Sequence, residues 1–516
     1  MDGNKIQETL KGLLGADKVR SDPQQMVSYS TDLFPRNQIL KVAGEIPATE
    51  PHAVCFPDSV EDIVKVMAFC SQCRLPLIPY AAGSGVCGAT IPEHGGVVMD
   101  VKGLDEILDF NPEDETVTVM AGLMGERLED FLNSKGFTLG HFPSSFRCSS
   151  VGGWVACRSA GQFSSRYGKI EHMTLGAEVV IPPGRVVQLG ILGGGHPSDP
   201  MLDLMLGSEG TLGVLTRVVL KVEPLPPEID FRGFAFVDVE SGIDAMRRIM
   251  QAPLKPTVMR LYDPLDSLIA GFHSKPDGKE DLNFIAARLK GVKKLVADAV
   301  TGLNSKALTT VLYRPKMLNN VTEILPARPL MIVGVQGDKP NISGQWDEVG
   351  RQVKHCRGED LGPEPGFDWY KRRYAVSYKQ SKIFRTGAFV DTMEVATTWD
   401  NLFPLYKAIF KAMAPHVFIM AHFSHAYEDG CSIYFTFAGY RPSKQASLSL
   451  YQRTWQAGQG AILRHGGTIT HHHGVGILKR PYLERDTPGG HDLFAAVKKA
   501  VDSPGVCNPG KLYGVD

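Results

Sequence analysis

The densest group of chemically active side chains lies near the C-terminus, in residues 466–476 (GGTITHHHGVG), which we call the histidine loop. It contains His471, His472 and His473 in direct succession. Imidazoles titrate near neutral pH, so this loop suits removal of a proton from a hydroxyl or a carbon acid. Because side chains alternate between the faces of a strand, we expect at most two of the three rings to share one site.

A second group of polar and aromatic side chains lies in residues 420–437 (MAHFSHAYEDGCSIYFTF). It contains His422 and, further on, Tyr434. The alternation along its second half predicts a strand that places Tyr434 on the face opposite Phe435.

Three interpretations of these histidines are open from the residues alone. They could be core or surface residues without a role. His422 could join His472 or His473 in a metal site, since imidazole is a common metal ligand. They could also act as general acids and bases. We expect acid/base catalysis and assign no metal.

Three glycine-rich loops lie in the first half of the chain. The first glycine loop, residues 79–88 (PYAAGSGVCG), follows an apolar strand. Glycines allow successive backbone N–H groups to converge on a pyrophosphate, although a plain turn is the alternative for any one loop. Neither a P-loop lysine nor a helix follows, which excludes a P-loop and disfavours a Rossmann motif. The second glycine loop is residues 143–161, and the third is residues 207–215 (GSEGTLGVL).

The elements around these loops predict an α+β fold. Residues 51–226 show strands and helices in the order β-α-β-β-β-α, with one helix that begins at Asp58 or Ser59. Prolines in residues 222–227 indicate a domain boundary, after which strands and helices alternate again. We predict an N-terminal segment, a cofactor domain, a substrate-binding domain and a C-terminal segment that returns to the cofactor, at residues 1–50, 51–226, 227–465 and 466–516.

Composition narrows the function classes. The 516 residues are enough for two or three domains. Because 55 Lys and Arg balance 56 Asp and Glu, no global field attracts nucleic acid. The sequence has no apolar stretch long enough for a transmembrane helix and no signal-peptide pattern at its start. Nine scattered cysteines predict reduced thiols and a cytoplasmic location, with Cys70 and Cys73 structural.

The first glycine loop, together with SSVGGW, GSEGTLGVLT and NPGKL, resembles the vanillyl-alcohol-oxidase/PCMH superfamily of FAD enzymes from about residue 25 onwards. The resemblance implies an α+β fold in which a two-subdomain PCMH-type FAD-binding domain joins a cap domain with an antiparallel sheet and flanking helices. No histidine lies in the first glycine loop or in residues 161–168, so we predict non-covalent FAD. The implied cofactor contacts are Pro79, Ala81, Ala82, Gly83, Ser84, Gly85, Val86, Cys87, Ser144, Ser149, Ser150, Gly152, Gly153, Cys157, Arg158, Ser159, Ala160, Glu209, Gly210, Gly213, Val214, Leu215 and Asn508.

Within the superfamily, HHHG after a CSIYFTF strand is similar to the alkylglycerone-phosphate-synthase-like subgroup. That resemblance implies catalytic roles for Tyr434, His471, His472 and His473. Relatives that oxidise D-2-hydroxy acids usually have Glu-His-Gly at the end of this motif. The subgroup's active-site arginine aligns with Gln380, and an amide cannot replace a guanidinium as an anion clamp. The substrate-binding residues that we predict instead are Arg372, Tyr378, Arg385 and His422.

The sequence therefore predicts an FAD-dependent oxidoreductase that takes a hydride from a small anionic, hydroxyl-bearing substrate of the 2-hydroxy-acid type. The alternatives are an alkylglycerone-phosphate synthase, which uses FAD without net redox chemistry, and a flavoprotein subunit that only relays electrons. An iron-sulfur protein or an electron-transfer flavoprotein is the expected redox partner. Family analogy implies a homodimer.

Overall fold

The computed structural model describes residues 2–45, 49–196, 198–269, 305–319, 328–374 and 383–515. Helices and strands alternate along these residues, and the strands form three larger sheets and one short pair. This mixed arrangement confirms the predicted α+β fold. No helix among the described residues is both long and apolar enough to cross a membrane.

The first sheet has four strands in the order β1-β2-β4-β3, in which β2, β4 and β3 run parallel. Helix α4 (Val60–Cys73) connects β2 to β3, and the Ser59 hydroxyl caps it by accepting a hydrogen bond from Asp62 N at 3.2 Å. The apolar face of α4 packs against the sheet and against α1 (Gly3–Leu14). The strands of this sheet are β1 (Val19–Arg20), β2 (Ala53–Cys55), β3 (Leu77–Tyr80) and β4 (Val97–Asp100).

The second sheet has five antiparallel strands in the order β5-β6-β10-β8-β9. Its strands are β5 (Ile107–Asn111), β6 (Thr116–Met120), β8 (Thr174–Ile181), β9 (Arg185–Gly190) and β10 (Val214–Lys221), and the short pair is β7 (Phe137–Thr138) with β11 (Glu223–Pro224). The other helices of this half are α2 (Pro23–Ser28), α3 (Pro35–Val42), α5 (Gly125–Ser134), α6 (Val151–Cys157), α7 (Ser164–Tyr167), α8 (Ile170–Met173) and α9 (Pro200–Met205).

The third sheet, which we call the cap sheet, has seven antiparallel strands in the order β15-β12-β14-β13-β17-β18-β16. The strands are β12 (Glu228–Ala235), β13 (Val258–Tyr262), β14 (Leu330–Gly337), β15 (Glu359–Asp360), β16 (Phe389–Thr398), β17 (Phe418–Ala426) and β18 (Gly430–Gly439). The helices are α10 (Val239–Met250), α11 (Pro264–Ile269), α12 (Ser305–Leu312), α13 (Pro315–Asn319), α14 (Lys339–His355), α15 (Glu364–Arg372), α16 (Trp399–Met413) and α17 (Lys444–Arg464).

One face of the cap sheet is apolar and the other is polar, as the alternation in β18 predicts. Ile433, Phe435 and Phe437 are fully buried in the core that the sheet shares with its helices. Tyr434, between the first two, projects from the opposite face and is only partly buried. The polar face is therefore the surface that a ligand between the two halves of the molecule would meet.

The C-terminal residues return to the first sheet. After α18 (Arg480–Asp486) and α19 (Gly490–Val501), the chain runs beside β3, where Leu77 N donates to Val506 O at 2.7 Å and Asn508 N donates to Leu77 O at 2.9 Å. The cap sheet begins at β12, just after the predicted boundary at residue 226. The domain limits remain predictions.

We expect Gly476→Ala to loosen the docking of the C-terminal residues. Gly476 has a φ of +51°, and a Cβ there would overlap the carbonyl oxygen of Cys87. The left-handed φ alone costs about 1–2 kcal/mol, and the overlap adds to it. Gly489→Ala is the matched control, since Gly489 has a φ of +80° but open space around it. In thermal unfolding the Gly476 variant should melt at least about 2 °C below the Gly489 variant, and equal melting temperatures would contradict the close packing.

Candidate functional site

The first glycine loop offers main-chain donors that no described residue uses. The N–H groups of residues 82–87 have no acceptor among the described residues, whereas Ile477 N donates to the Cys87 carbonyl at 3.0 Å. Gly83 has a φ of +61°, and a side chain there would overlap the Tyr80 hydroxyl. A tight turn with unused N–H groups is the geometry that holds a pyrophosphate.

Asp32 lies against this loop, although the sequence did not single it out. Its Oδ1 accepts a hydrogen bond from Phe34 N at 3.0 Å, and Leu33 N donates to Gly85 O at 3.0 Å. The Asp32 Oδ2 atom is buried and has no partner among the described residues. Burial raises the pKa of Asp32 to about 7. A buried carboxyl oxygen needs a donor, and the sugar and ribityl hydroxyls of FAD are donors of that kind.

The hydroxyls at the start of α6, in the second glycine loop, have protein partners. Ser149 Oγ accepts from Trp154 Nε1 at 2.7 Å, and Ser150 Oγ caps α6 by accepting from Gly153 N at 3.3 Å. Ser144 Oγ accepts a longer hydrogen bond, 3.4 Å, from the Gln162 amide. These hydroxyls shape the loop, and their contacts with FAD remain predictions.

Further along the second glycine loop, Ser159 Oγ lies 2.8 Å from Nε2 of His141, a residue that the sequence did not indicate. Burial lowers the pKa of His141 to about 3. Arg158 Nε donates to the carbonyl of Leu206 at 3.0 Å, so this guanidinium stabilises main chain in the structure. Among the other predicted cofactor residues here, Gly152 lies inside α6, Cys157 is at its end and Ala160 is buried just after it, and their contacts with FAD remain predictions.

The third glycine loop holds the histidine loop through Glu209. The Glu209 carboxylate accepts from Val475 N at 2.5 Å and from Gly476 N at 2.8 Å. Asn508 Nδ2 donates to the Glu209 carbonyl at 2.7 Å, while its Oδ1 is buried without a partner among the described residues. Glu209 therefore joins the cofactor half to the histidines. Gly210 and Gly213 lie in the same loop, and Val214 and Leu215 begin β10.

Four side chains form a row across the polar face of the cap sheet, which we call the cap row. The strand register pairs Tyr262 with His422, His422 with Tyr434, and Tyr434 with Glu394. Directly opposed residues project to the same face, so the four lie side by side. The rings of His422 and Tyr434 stack with centroids 4.8 Å apart. The row thus brings together residues that are far apart in the chain.

Arg260 and Asp266 fix the state of His422. The Arg260 Nη2 atom lies 2.5 Å from His422 Nε2, and His422 Nδ1 lies 2.9 Å from Asp266 Oδ2. A guanidinium only donates, so Nε2 accepts and Nδ1–H donates to Asp266. Burial, with a contribution from Arg260, lowers the pKa of His422 well below its usual value. His422 is therefore neutral, and because both ring nitrogens are engaged it orients Arg260 instead of acting as a base.

Arg260 supplies a guanidinium that the sequence did not reveal. No carboxylate lies within 4.0 Å of it among the described residues, and its Nε is buried without a partner there. A partly buried cation without an adjacent anion is costly, so an anionic ligand would be stabilised beside it. The sequence feature that could have revealed it is a single arginine in the otherwise apolar strand VMRLY. Arg260 comes two residues before Tyr262, so both side chains project from the same face of the strand.

Glu394, at the end of the cap row, holds the histidine loop. It is fully buried and accepts from Lys479 Nζ at 2.5 Å, Thr470 Oγ1 at 2.8 Å, His471 N at 2.5 Å and His473 N at 3.2 Å. Burial alone would raise the pKa of Glu394, but the Lys479 ammonium outweighs it and holds the pKa well below the usual range. A permanently charged carboxylate therefore fixes the main chain on which the histidines sit.

All three histidines belong to the site. The centroid of the His472 ring lies 5.2 Å from that of His471 and 4.5 Å from that of His473, whose centroid is 5.4 Å from that of Tyr434. The expectation that at most two rings share the site is wrong, because residues 471–473 form bends and not a strand. The His471 and His472 Nδ1 atoms are 3.0 Å apart, so one donates to the other.

The histidines are neutral and the tyrosine keeps its proton. Burial lowers the pKa of His471 to about 3 and that of His473 to about 4, and it also lowers the pKa of His472. Burial raises the pKa of Tyr434 to about 12. The ring nitrogens of His473 have no hydrogen-bond partner among the described residues. Near pH 7 the site thus combines an uncharged proton acceptor with a phenol that can donate a hydrogen bond.

Residues from both halves of the molecule meet beside these rings. Ser164 Oγ in α7 lies 2.8 Å from His425 Nδ1, and Tyr427 OH donates to Ser164 Oγ at 3.3 Å. The ring centroid of His425 is 4.7 Å from that of His472, and that of Tyr427 is 5.6 Å from that of His471. Strand β17 thus brings its last residues against the histidine loop and α7 together.

A metal ion bound beside the histidines would compete with Lys479 for the Glu394 carboxylate. Glu394, His471 and His472 can place one ligand atom each within 4.8 Å of one another. However, the Lys479 ammonium already neutralises the Glu394 carboxylate. The metal site that the sequence left open would use His422 with His472 or His473, but both ring nitrogens of His422 are engaged by Arg260 and Asp266. The donor set favours acid/base chemistry over metal binding.

The structure does not place the predicted anion-binding residues on and after α15 beside the cap row. Arg372 is half-exposed and lies 3.5 Å from the Asp368 carboxylate, and Arg385 is exposed. Tyr378 and Gln380 lie outside the described residues. Roles for Arg372, Tyr378 and Arg385 in substrate binding remain predictions, while Arg260 is a guanidinium that the structure places next to the cap row.

Two parts of the chain match known protein families. Residues 51–190 match the FAD binding domain family, and residues 319–512 match the C-terminal domain of the FAD linked oxidases. The chain is 28% identical to an alkyldihydroxyacetonephosphate synthase of Trypanosoma brucei brucei, over 98% of this chain and 80% of that protein. It is 25% identical to the glycolate oxidase subunit GlcD of Bacillus subtilis, over 99% of this chain and 97% of that protein. A solved alkyldihydroxyacetonephosphate synthase structure has the same fold, with a TM-score of 0.75 and 24% identity over 98% of this chain and 84% of that one.

We expect Glu394→Gln to destabilise the protein by about 3–5 kcal/mol, because it leaves the Lys479 ammonium buried without its counter-charge. The double variant Glu394→Gln with Lys479→Met removes both charges and should recover most of that loss. Urea unfolding followed by circular dichroism measures both variants against the unmodified protein. A single variant as stable as the unmodified protein would show that the pair does not hold the loop.

Proposed function

This chain belongs to the FAD-linked oxidases of the vanillyl-alcohol-oxidase/PCMH superfamily, and from that premise we propose that it oxidises a small anionic substrate at a hydroxyl-bearing carbon. The observation that supports this most is the polar face of the cap sheet. There Arg260, Tyr434 and the three histidines offer a cation, a phenol and neutral imidazoles in one place.

FAD is the cofactor, and the residues present fit it. The unused N–H groups of the first glycine loop would hold its pyrophosphate, and Asp32 would accept from one of its hydroxyls. The hydrogen-bonded contacts of Glu209 and Asn508 would fix the loops on either side. When bound, FAD supplies the hydride acceptor.

The protein's own residues would bind the substrate and take its proton. Arg260 would pair with the carboxylate or phosphate, held in position by His422 and Asp266. The Tyr434 phenol would donate to the substrate oxygen. His472 or His473 would accept the hydroxyl proton as the hydride leaves the carbon, which turns the hydroxyl into a carbonyl. His473 is favoured because its ring nitrogens have no partner among the described residues.

A transferase of the alkylglycerone-phosphate-synthase type is the second candidate. It is favoured by the histidine loop and by 28% identity over 98% of this chain to a synthase. Such an enzyme exchanges an acyl for an alkoxy group and needs no electron acceptor. The alignment of Gln380 with an arginine weakens this candidate, since an amide does not clamp a phosphate as a guanidinium does.

The oxidase proposal requires an acceptor for two electrons. An iron-sulfur protein or an electron-transfer flavoprotein would take them, and a quinone or oxygen is the alternative. Pure electron relay needs no base, so the cluster of His471, His472 and His473 beside Tyr434 argues against a relay subunit. The redox partner and a homodimeric state remain predictions from the family.

Anaerobic titration of the holoenzyme with 2-hydroxy acids, followed by visible absorbance, tests the proposal. We expect the flavin band to bleach with at least one acid, and Arg260→Gln to raise the required concentration at least tenfold through loss of the charged contact. Arg453→Gln is the matched control, because Arg453 is exposed on α17 and has no predicted role in substrate binding. If no acid bleaches the flavin, and acyl dihydroxyacetone phosphate with a fatty alcohol gives an ether without any acceptor, the transferase is the correct function.

The pH dependence of flavin reduction should report a depressed histidine pKa. The base must be unprotonated, and burial lowers the pKa of His473 to about 4, so activity should persist as the pH falls from 8 and be lost only as it approaches 4. An unperturbed histidine would lose activity near pH 6.5. Anaerobic stopped-flow reduction, with circular dichroism to confirm folding at each pH, distinguishes the two. A midpoint near 6.5 would contradict a buried base.

A further inference from the structure

A cleft of about 770 Å³ opens between the two halves of the molecule, beside the histidine cluster. One wall is α7 with the residues that follow it, and the other is the end of α10 with the turn between β17 and β18. Its size is that of a site for a small molecule. The residues that matter for its chemistry are Ser164, Arg166, Lys255, Gln345, Tyr427 and Glu428.

The cleft carries positive charge that the protein does not neutralise. Neither Arg166 nor Lys255 has a carboxylate within 4.0 Å among the described residues, and Glu428 is the one acidic side chain on the wall. Arg166 Nε and Gln345 Oε1 are both buried without hydrogen-bond partners among those residues. An unused guanidinium atom and an unused amide oxygen in the lining of one cleft indicate a polar ligand, and the two cations select an anionic one.

Two residues that line the cleft, Ser164 and Tyr427, also contact the histidine cluster. Ser164 and Tyr427 line the cleft, and the Tyr427 hydroxyl donates to Ser164 Oγ at 3.3 Å. On the other side, Ser164 Oγ lies 2.8 Å from His425 Nδ1, and the Tyr427 ring centroid lies 5.6 Å from that of His471. A ligand in the cleft would therefore lie against side chains that also contact the histidine cluster.

We propose that the cleft is an anion-binding vestibule, where Arg166 and Lys255 capture the carboxylate or phosphate ester of the substrate before it passes Tyr427 and Ser164. This rests on the proposed function, which gives the substrate its negative charge. The vestibule is distinct from Arg260, which lies on the cap sheet beside His422. Two successive cationic positions would concentrate the substrate and then orient it.

Calorimetric titration of the holoenzyme with inorganic phosphate and with malonate tests the vestibule without turnover. Lys255→Gln and Arg166→Gln should each weaken binding of at least one anion tenfold or more. Lys255 is exposed, so its replacement does not threaten folding, and Lys411→Gln, on an exposed position of α16, is the matched control. The anion that depends more strongly on the two residues shows whether a phosphate or a carboxylate is captured. Unchanged binding of both anions in both variants would overturn the proposal.

Steady-state kinetics provide an independent test. If a substrate from the hydroxy-acid panel is oxidised, Lys255→Gln should lower kcat/KM about tenfold with little change in kcat, and should reduce its dependence on ionic strength. A vestibule residue that instead lowered kcat alone would contradict a capture role. If the unmodified enzyme oxidises none of the acids, the proposed function fails, while the phosphate and malonate titrations still decide the vestibule.

Discussion

The histidine loop depends for its position on the buried pair of Glu394 and Lys479. Both side chains are fully buried, so water cannot compensate either charge and the protein must supply every partner. Lys479 supplies the counter-charge, and main-chain N–H groups of the histidine loop supply further donors to the same carboxylate. The carboxylate lies in β16 next to Tyr434 in the strand register, so the loop that binds it is held beside Tyr434. The positions of the three imidazoles follow from that constraint.

The same loop is held from the opposite side by a second buried carboxylate. Glu209 accepts from Val475 N and Gly476 N, directly after the residues that Glu394 holds, and Cys87 O accepts from Ile477 N. One short segment therefore binds the cap sheet, the third glycine loop and the first glycine loop in succession.

The sequence predicted those parts of the site that depend on local pattern. Glycines after an apolar strand indicated the first loop, and strand alternation placed Tyr434 opposite Phe435, as the structure has it. The sequence could not predict the contacts that depend on the register between strands distant in the chain. Arg260 meets His422 only because β13 pairs with β17, which lies more than 150 residues later. The three histidines were expected to alternate as in a strand, but Glu394 and Glu209 hold their main chain in bends, so that rule did not apply.

The role proposed for each histidine follows from its hydrogen-bond partners and not from its spacing in the sequence. His422 has Arg260 on one nitrogen and Asp266 on the other, so it cannot accept a substrate proton without losing the contact that orients the guanidinium. His425 is bound to Ser164, and His471 and His472 share a hydrogen bond. His473 has no such partner among the described residues, and it lies beside the Tyr434 ring. Under the proposed function, the site would thus separate two tasks: the charged Arg260, held by hydrogen bonds, would bind an anion, and the uncharged His473 ring would accept a proton.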